Sequence, residues 1–546
     1  MEVQTAWVKP PRQIGGLDHL AVQAPCINLY GRLLPGITNV TDRARYYSFY
    51  PWIVWALEQE GFRYNDAFID HFRKADCLFT LISHRHAQVT GSDSDDHSAA
   101  TIGSMNLSKQ IADIREGNSV RLSDFAHRDQ NRQKYFKNKL GGLGQYYMGV
   151  FRELNIMDGS VSQGIKNTNQ IGRTLAEAFD QKVNRKLFVQ TINEDVVTVE
   201  RLDLLIAFCP CQITNNPEEH SILTDLFFVQ KSFEETDMMP RRRSLQIILW
   251  LADQLAKKGE AISLDNFRGC TYSNALPDGT DWTLPEMLKQ NRRRWSVYQR
   301  NELLSLAIQG IFYVVLDSYQ ETDQQFHSVE QLCDWFLISP EVQHLTKDIS
   351  LDMNVSELAE KASEWLPDLK NWTHNEHEMQ LANQINSLCD EDKTISNRGA
   401  ILLCSLKILI ALKQRSETRG GYEDFVFQEQ YFQNYPINLQ SFLHHISETW
   451  NQLTIKKWIM WLVNKWGIQT HFMVALRKLR GQSQSTFQIR PSDYGLEVIS
   501  VPKAVFSMPR FHQSLRILKD IGALEKQGDG WIVSDLGHQL KEFASE

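Results

Sequence analysis

The chain has 546 residues, 42% hydrophobic and 23% charged, with 58 Lys plus Arg against 66 Asp plus Glu and a formal charge of −8. This length and balance describe an ordinary globular protein of several domains, and no global basic field draws it to nucleic acid, so any DNA contact must come from local patches. Residues 1–16 lack the charged start, apolar core and cleavage site of a signal peptide, and no apolar run approaches membrane-spanning length, which points to a cytoplasmic protein without membrane contact.

Residues 1–120 read as a helical domain, with amphipathic helices near 42–60 and 65–83 and a polar loop from Gly91 to Ser104. In Leu33–Leu57, Pro35-Gly36 makes a turn and Asn39 or Thr41 can cap the helix that begins near Asp42. Tyr46, Phe49, Trp52 and Ile53 form a stripe at helical spacing, broadened by Tyr47, Tyr50 and Trp55, and Pro51 is expected to kink it. Arginines Arg43 and Arg45 beside aromatic rings are also residue types that grip phosphates and stack single-stranded bases, but such a stripe is read first as core.

Residues 121–185 contain the first copy of an internal repeat. The segment Gly144–Phe179 matches Phe511–Phe543 with one short gap, so that Met148, Phe151, Leu154 and Met157 fall on Leu515, Leu518, Ile521 and Leu524. Turn glycines follow, Gly159 in one copy and Gly528 with Gly530 in the other. Each copy then closes on a short helix with a polar N-cap candidate, Asn169 or Ser534, and a shared glycine, Gly172 or Gly537. Helix, hairpin, helix is the order of a winged helix-turn-helix.

Residues 186–240 read as mixed strand and loop, on the runs 186–192, 195–199 and 223–229. Asp195, Glu200 and Asp203 in this stretch are the acidic residues that a divergent metal-dependent nuclease would use. Residues 241–470 read as a helical bundle with wide apolar faces over 244–259, 298–319, 355–366 and 399–415. Hinges are expected at Thr418–Gly421 and Gly481–Ser485.

Residues 471–546 carry the second copy. Ser507 is expected to cap its first helix and Pro509 to occupy the first turn, with Phe511, Leu515, Leu518 and Ile521 buried. Arg510, Gln513, Arg516 and Lys519 would then face solvent, and these are groove-reading and phosphate-contacting types. Three compact basic clusters add candidate DNA contacts: Arg241, Arg242 and Arg243; Arg292, Arg293 and Arg294; Arg477, Lys478 and Arg480.

Catalytic and metal motifs are absent from the sequence pattern. There is no P-loop, HExxH, GxSxG or deaminase HxE with PCxxC. The eight cysteines, at 26, 77, 209, 211, 270, 333, 389 and 404, form no CxxC knuckle; Cys209-Pro210-Cys211 reads as a buried strand end rather than a metal clip. His84 and His86, Asp93 to His97, His374 with His377, and His444-His445 beside Glu448 are ligand types without a second ligand group at a diagnostic distance. No cofactor, metal site or catalytic residue is expected.

The segment PGITNVTDRARYYSFYPWI resembles bacterial proteins with a PGxxxxxxRARYxxFxPW pattern found near phage-defence genes, as do His471–Leu496 and Trp295 with Tyr298–Leu303. In length and character the chain is similar to an accessory subunit of a Druantia-like anti-phage system, whose helicase-like enzyme is a separate chain. The resemblance implies a defence complex with a helicase/ATPase or nuclease partner, and no catalytic role.

The expected fold class is therefore mainly α and multidomain: a helical bundle, two winged-helix-like modules and a small strand-containing segment. The leading functional expectation is a non-catalytic scaffold that binds DNA and positions a partner enzyme. The alternative is a protein-interaction subunit whose modules dock partner proteins, and the third is the divergent nuclease.

Overall fold

The structure, a computed structural model, describes residues 12–13, 18–91, 94–129, 132, 134–160, 162–229, 239–418, 435–481, 484–528 and 530–542. It is mainly helical, 62% helix against 7% strand, and every described sheet is a two-stranded ladder. Where the sequence suggested five consecutive domains, the chain groups into two units built from separated segments: Met1–Tyr30 with Asp265–Met508, and Gly31–Leu264 with Pro509–Glu546. The expected C-terminal module thus divides, residues 471–508 going to the first unit and 509–546 to the second.

The first unit is organised on the Glu286–Gln320 helix, which is buried from Trp295 to Tyr319 except at half-buried Gln309. It packs against Ile395–Thr418 and Glu378–Leu388. These two long helices correct the expectation that no apolar run approaches membrane-spanning length: Glu286–Gln320 and Ile395–Ser416 both reach it. Their apolar windows are 94% and 67% buried within the protein, so packing accounts for them. Buried charges are matched here too, as where Arg398 joins Glu341 at 2.8 Å and Asp317 at 3.2 Å. The expected hinge residues 419–421 and 482–483 lie outside the described residues.

The second unit is organised on the aromatic helix Tyr46–Gln59. This helix starts four residues later than expected, at Tyr46, without a side-chain cap; Thr41 instead turns back to accept from the Thr38 amide at 2.8 Å. Tyr46, Tyr47, Phe49, Tyr50 and Trp52 are all fully buried. Phe49 lies 4.1 Å from Phe79 ring to ring, and Trp52 lies 5.0 Å from Phe208. The Trp52 indole also donates to Asp180 at 2.9 Å, tying this helix to Gly172–Asp180. The stripe is core, as its spacing suggested.

Residues 186–240 depart most from expectation. The run 186–192 lies in the helix Arg185–Glu194, capped by Asn184 accepting from the Leu187 amide at 3.1 Å. The run 223–229 lies in the helix Pro217–Phe228, with Asn216 as its cap and Pro217 at its first position. Among the described residues of this stretch, only Val196–Val197 is a strand, paired antiparallel with Val120–Arg121. β-branched and aromatic content suggested strands, but Phe188, Val189 and Ile192 are buried at helical spacing and the caps sit just upstream. Cys209-Pro210-Cys211 likewise ends no strand; it opens the 3-10 turn Pro210–Asn215.

Trp52→Ala is expected to destabilise the second unit by about 3–5 kcal/mol, the cost of a cavity left by a buried aromatic, and to leave the indole's Asp180 acceptor without its donor. Chemical denaturation followed by circular dichroism measures the loss, and Trp52→Phe should recover a large part of it.

Candidate functional site

The two repeat copies are the same local structure down to single hydrogen bonds. The Met148–Glu153 helix ends on Leu154 and the Phe511–Asp520 helix on Ile521, both near φ −87°. A left-handed residue follows, Asn155 (φ 53°) or Gly522 (φ 73°). The next amides, Ile156 and Ala523, donate back to Phe151 (2.7 Å) and Leu518 (2.8 Å), while Asn155 and Gly522 donate to Arg152 and Lys519. This is the Schellman termination, repeated.

Antiparallel hairpins follow, Met157–Ser160 with Gly164–Asn167 and Leu524–Gln527 with Gly530–Val533. A hydroxyl then closes each copy. Thr168 Oγ1 and Ser534 Oγ donate to the carbonyls of the left-handed residues, each at 2.6 Å, and accept from the amides of Gly172 (3.1 Å) and Gly537 (3.0 Å). Thr168, rather than the expected Asn169, is therefore the equivalent of Ser534. A Cβ on Gly172 or Gly537 would lie 2.0 or 2.1 Å from the Ile156 or Ala523 carbonyl oxygen, which excludes any side chain at either position.

The polar side of the Phe511–Asp520 helix is only partly open to solvent, the Arg516 side chain 37% exposed and that of Lys519 14%. Arg510 donates to the Leu34 carbonyl at 2.8 Å, Gln513 to Asp42 at 3.2 Å and the Asn39 carbonyl at 3.3 Å, and Arg516 pairs with Asp42 at 2.6 Å. Lys519 pairs with Asp96. His512 is the one exposed residue of this helix. The helix also lacks its expected cap: Arg510, at φ 62°, precedes it, whereas Ser507 bonds Glu302 within the first unit. Groove-reading residue types are here spent on carbonyls and carboxylates of the same unit, because the Leu34–Ala44 segment packs across the helix.

The two copies hold that segment through equivalent acids. Glu153 and Asp520 each occupy the last helical position; Glu153 accepts from the Gly36 amide at 3.0 Å, and Asp520 from the Ala44 amide at 2.9 Å. Asp520 also pairs with Arg43 at 2.9 and 3.0 Å, both side chains buried. Arg43 reaches the carbonyls of Asp96 (3.0 Å), His97 (3.4 Å) and Ala99 (2.9 Å). Arg45 meets both oxygens of Glu219 at 3.2 Å and donates to the carbonyls of Ala207 (2.8 Å) and Cys209. Gly36, at φ 74° with Arg241 and Leu154 pressed to 2.6 Å of where a Cβ would stand, must be glycine.

The three basic clusters differ in their exposure. Arg241 is fully buried, donating to Pro35 (2.8 Å), Leu226 (2.5 Å) and Phe227 (3.2 Å); burial pulls it down to about 10, still charged at neutral pH. Arg242 is buried and Arg243 half-buried, so this cluster makes no open phosphate-binding patch. In the first unit, Arg292 donates to the Thr271 carbonyl at 3.1 Å, Arg294 is half-buried and Arg293 exposed. Lys478 donates to the Asp18 carbonyl at 2.5 Å, and Arg477 is exposed. The side chain of Arg480 lies outside the described residues.

The acidic trio is dispersed. Asp195 is taken by Lys74 (2.7 Å) and by Ser123, and Asp203 by Arg85 (2.7 Å), with Glu200 in the first turn of Val199–Leu204. What the fold does gather was not expected: His86, His97, Cys209 and Cys211, whose ligand atoms all lie within 4.8 Å of one another. His86 sits near the C-terminal end of the Asp66–Thr90 helix, His97 ends the short Ser94–His97 helix, and the two cysteines flank Pro210. His86 Nδ1 is 3.4 Å from Cys211 Sγ and His97 Nδ1 is 3.5 Å from Cys209 Sγ; the imidazole rings meet edge-on at 4.3 Å. His86, His97 and Cys209 are buried and Cys211 partly so. The sequence signal was the close cysteine pair itself; its histidine partners lie more than a hundred residues upstream. No protein-family model, curated protein or solved structure matches the chain.

Two contrasts test this geometry. Gly537→Ala should destabilise the second unit, whereas Gly149→Ala, in the open on its helix, should be neutral or stabilising by up to about 1 kcal/mol. Asp520→Ala leaves Arg43 buried without its carboxylate and should cost about 3–5 kcal/mol. Urea denaturation of purified variants reads both.

Proposed function

We propose that the chain is a non-catalytic assembly subunit of a bacterial defence complex, docking protein partners rather than reading DNA. The observation that carries this reading is the engagement of Arg510, Gln513, Arg516 and Lys519 by acceptors of their own unit. A winged helix reads a groove with the exposed face of one helix. In these winged-helix-like modules that face is an internal contact, so they act as packing units that present the rest of the unit.

The exposed chemistry favours protein over phosphate. On the Thr470–Gly481 helix, Met473 and Leu476 are 58% and 54% exposed and stand one turn apart beside exposed Arg477. An apolar pair flanked by a cation suits an amphipathic partner helix with acidic residues. Among the described side chains of the expected clusters, the phosphate-binding alternative has Arg293 and Arg477 as exposed cations, few for a DNA track. The context of a defence complex rests on the resemblance of the PGITNVTDRARYYSFYPWI segment.

The test is co-purification of the tagged full chain from its native operon, with and without nuclease, joined to titration of the purified chain with labelled duplex at low salt. A nuclease-resistant partner set and no duplex affinity tighter than about 10 micromolar are expected. Micromolar duplex binding abolished by charge reversal at Arg510 and Arg516 in a folded variant would overturn the docking reading.

A further inference from the structure

We propose that His86, His97, Cys209 and Cys211 form a closed, structural zinc site. Four ligand atoms of the soft and borderline kinds converge, two thiol sulfurs and two imidazole nitrogens. Tetrahedral zinc with Zn–S near 2.3 Å and Zn–N near 2.0–2.1 Å requires sulfur-to-nitrogen edges of about 3.5 Å. The two closest sulfur–nitrogen pairs, Cys211 with His86 and Cys209 with His97, stand 3.4 and 3.5 Å apart. No carboxylate or carbonyl takes part, which excludes calcium and magnesium, and thiolates with imidazoles select zinc among the common divalent ions. Four protein ligands leave no open position, so the site holds structure and does not activate water.

The surroundings are those of an oriented metal site. His97 Nε2 lies 3.2 Å from Thr90 Oγ1, whose hydroxyl donates to the His86 carbonyl at 2.8 Å and can therefore accept from Nε2; the tautomer protonated there turns the Nδ1 lone pair toward Cys209. Gln212 Nε2 donates to Cys211 Sγ at 3.2 Å. Arg43 and Arg45 hold the carbonyls of His97 and Cys209, so the backbone at two ligands is anchored by guanidinium groups whose own charges are met by Asp520 and Glu219. Two thiolates and one zinc ion sum to zero charge, which adds no net charge to the buried cluster.

The location gives the ion its role. The Ser94–His97 turn carries two of the three carbonyls that receive Arg43, those of Asp96 and His97, and the Asp96 carboxylate that pairs with Lys519. Zinc there would fasten the C-terminal end of Asp66–Thr90, this turn and the Pro210–Asn215 turn to one point, and so brace the surface against which the Phe511–Asp520 helix packs. The site is independent of what the modules dock.

The experiment is elemental analysis of the full chain, purified from zinc-containing medium through a tag that binds no metal. About one zinc per chain is expected, lost in the Cys209→Ser/Cys211→Ser double variant and kept in His84→Ala, whose imidazole bonds Ser104 instead. Should the double variant not fold, stripped wild-type chain is reloaded with cobalt(II), and a tetrahedral thiolate–cobalt absorption is expected. Amide exchange in Phe511–Asp520 should quicken when the metal is removed from folded protein. Zinc-free wild-type protein that takes up no tetrahedral cobalt, stoichiometric iron or copper in its place, a Cys209–Cys211 disulfide, or zinc retained by the folded double variant would each overturn the assignment.

Discussion

The second unit depends on burying guanidinium groups. Arg43, Arg45 and Arg241 are each almost wholly inaccessible. Removing such a cation from water costs several kcal/mol unless every donor direction is answered. The answers come from carbonyls at Pro35, Asp96, Ala99, Ala207, Leu226 and Phe227 and from the carboxylates of Asp520 and Glu219. Those acceptors lie on segments far apart in sequence, and a planar donor fork admits few arrangements of them. The Leu34–Tyr46 segment is thereby locked in position, and the helices that surround it inherit that lock.

This explains why two copies of one small motif serve as internal supports. Each copy ends its first helix on an acid, Glu153 or Asp520, aimed at an amide of the same central segment. A repeat that pairs with a shared strap buries its polar face as well as its apolar one. Basic and amide side chains that would serve a nucleic acid equally serve carbonyls and carboxylates, since the hydrogen-bond chemistry is the same. The competition is decided by which acceptor is already held within 3 Å.

Much of this was legible in the chain. The repeat was found from apolar spacing and shared glycines, because a Schellman turn and a glycine pressed on a carbonyl leave fixed marks on local sequence. The aromatic helix was read as core from its periodicity. The runs 186–192 and 223–229 were misread as strands, although Asn184, Asn216 and Pro217 stood ready as caps; a short apolar run has no period long enough to choose between helix and strand. The cysteine pair alone marks no metal site, because recognition by spacing needs all ligands near in sequence, and here Cys211 and His86 lie 125 residues apart.

The sequence by itself determined what is local: mainly helical character, the twice-used helix–hairpin–helix order, the glycines at 36, 172 and 537, and the burial of Tyr46, Phe49 and Trp52. These follow from backbone sterics and hydrophobic periodicity, which act over a few residues. Only the tertiary structure decided the partners of the polar groups. Whether Arg510 and Arg516 face solvent or meet Leu34 and Asp42, and whether two histidines and two cysteines converge, depends on long-range packing that brings distant segments together, and an arginine or cysteine carries no local mark of what it will meet.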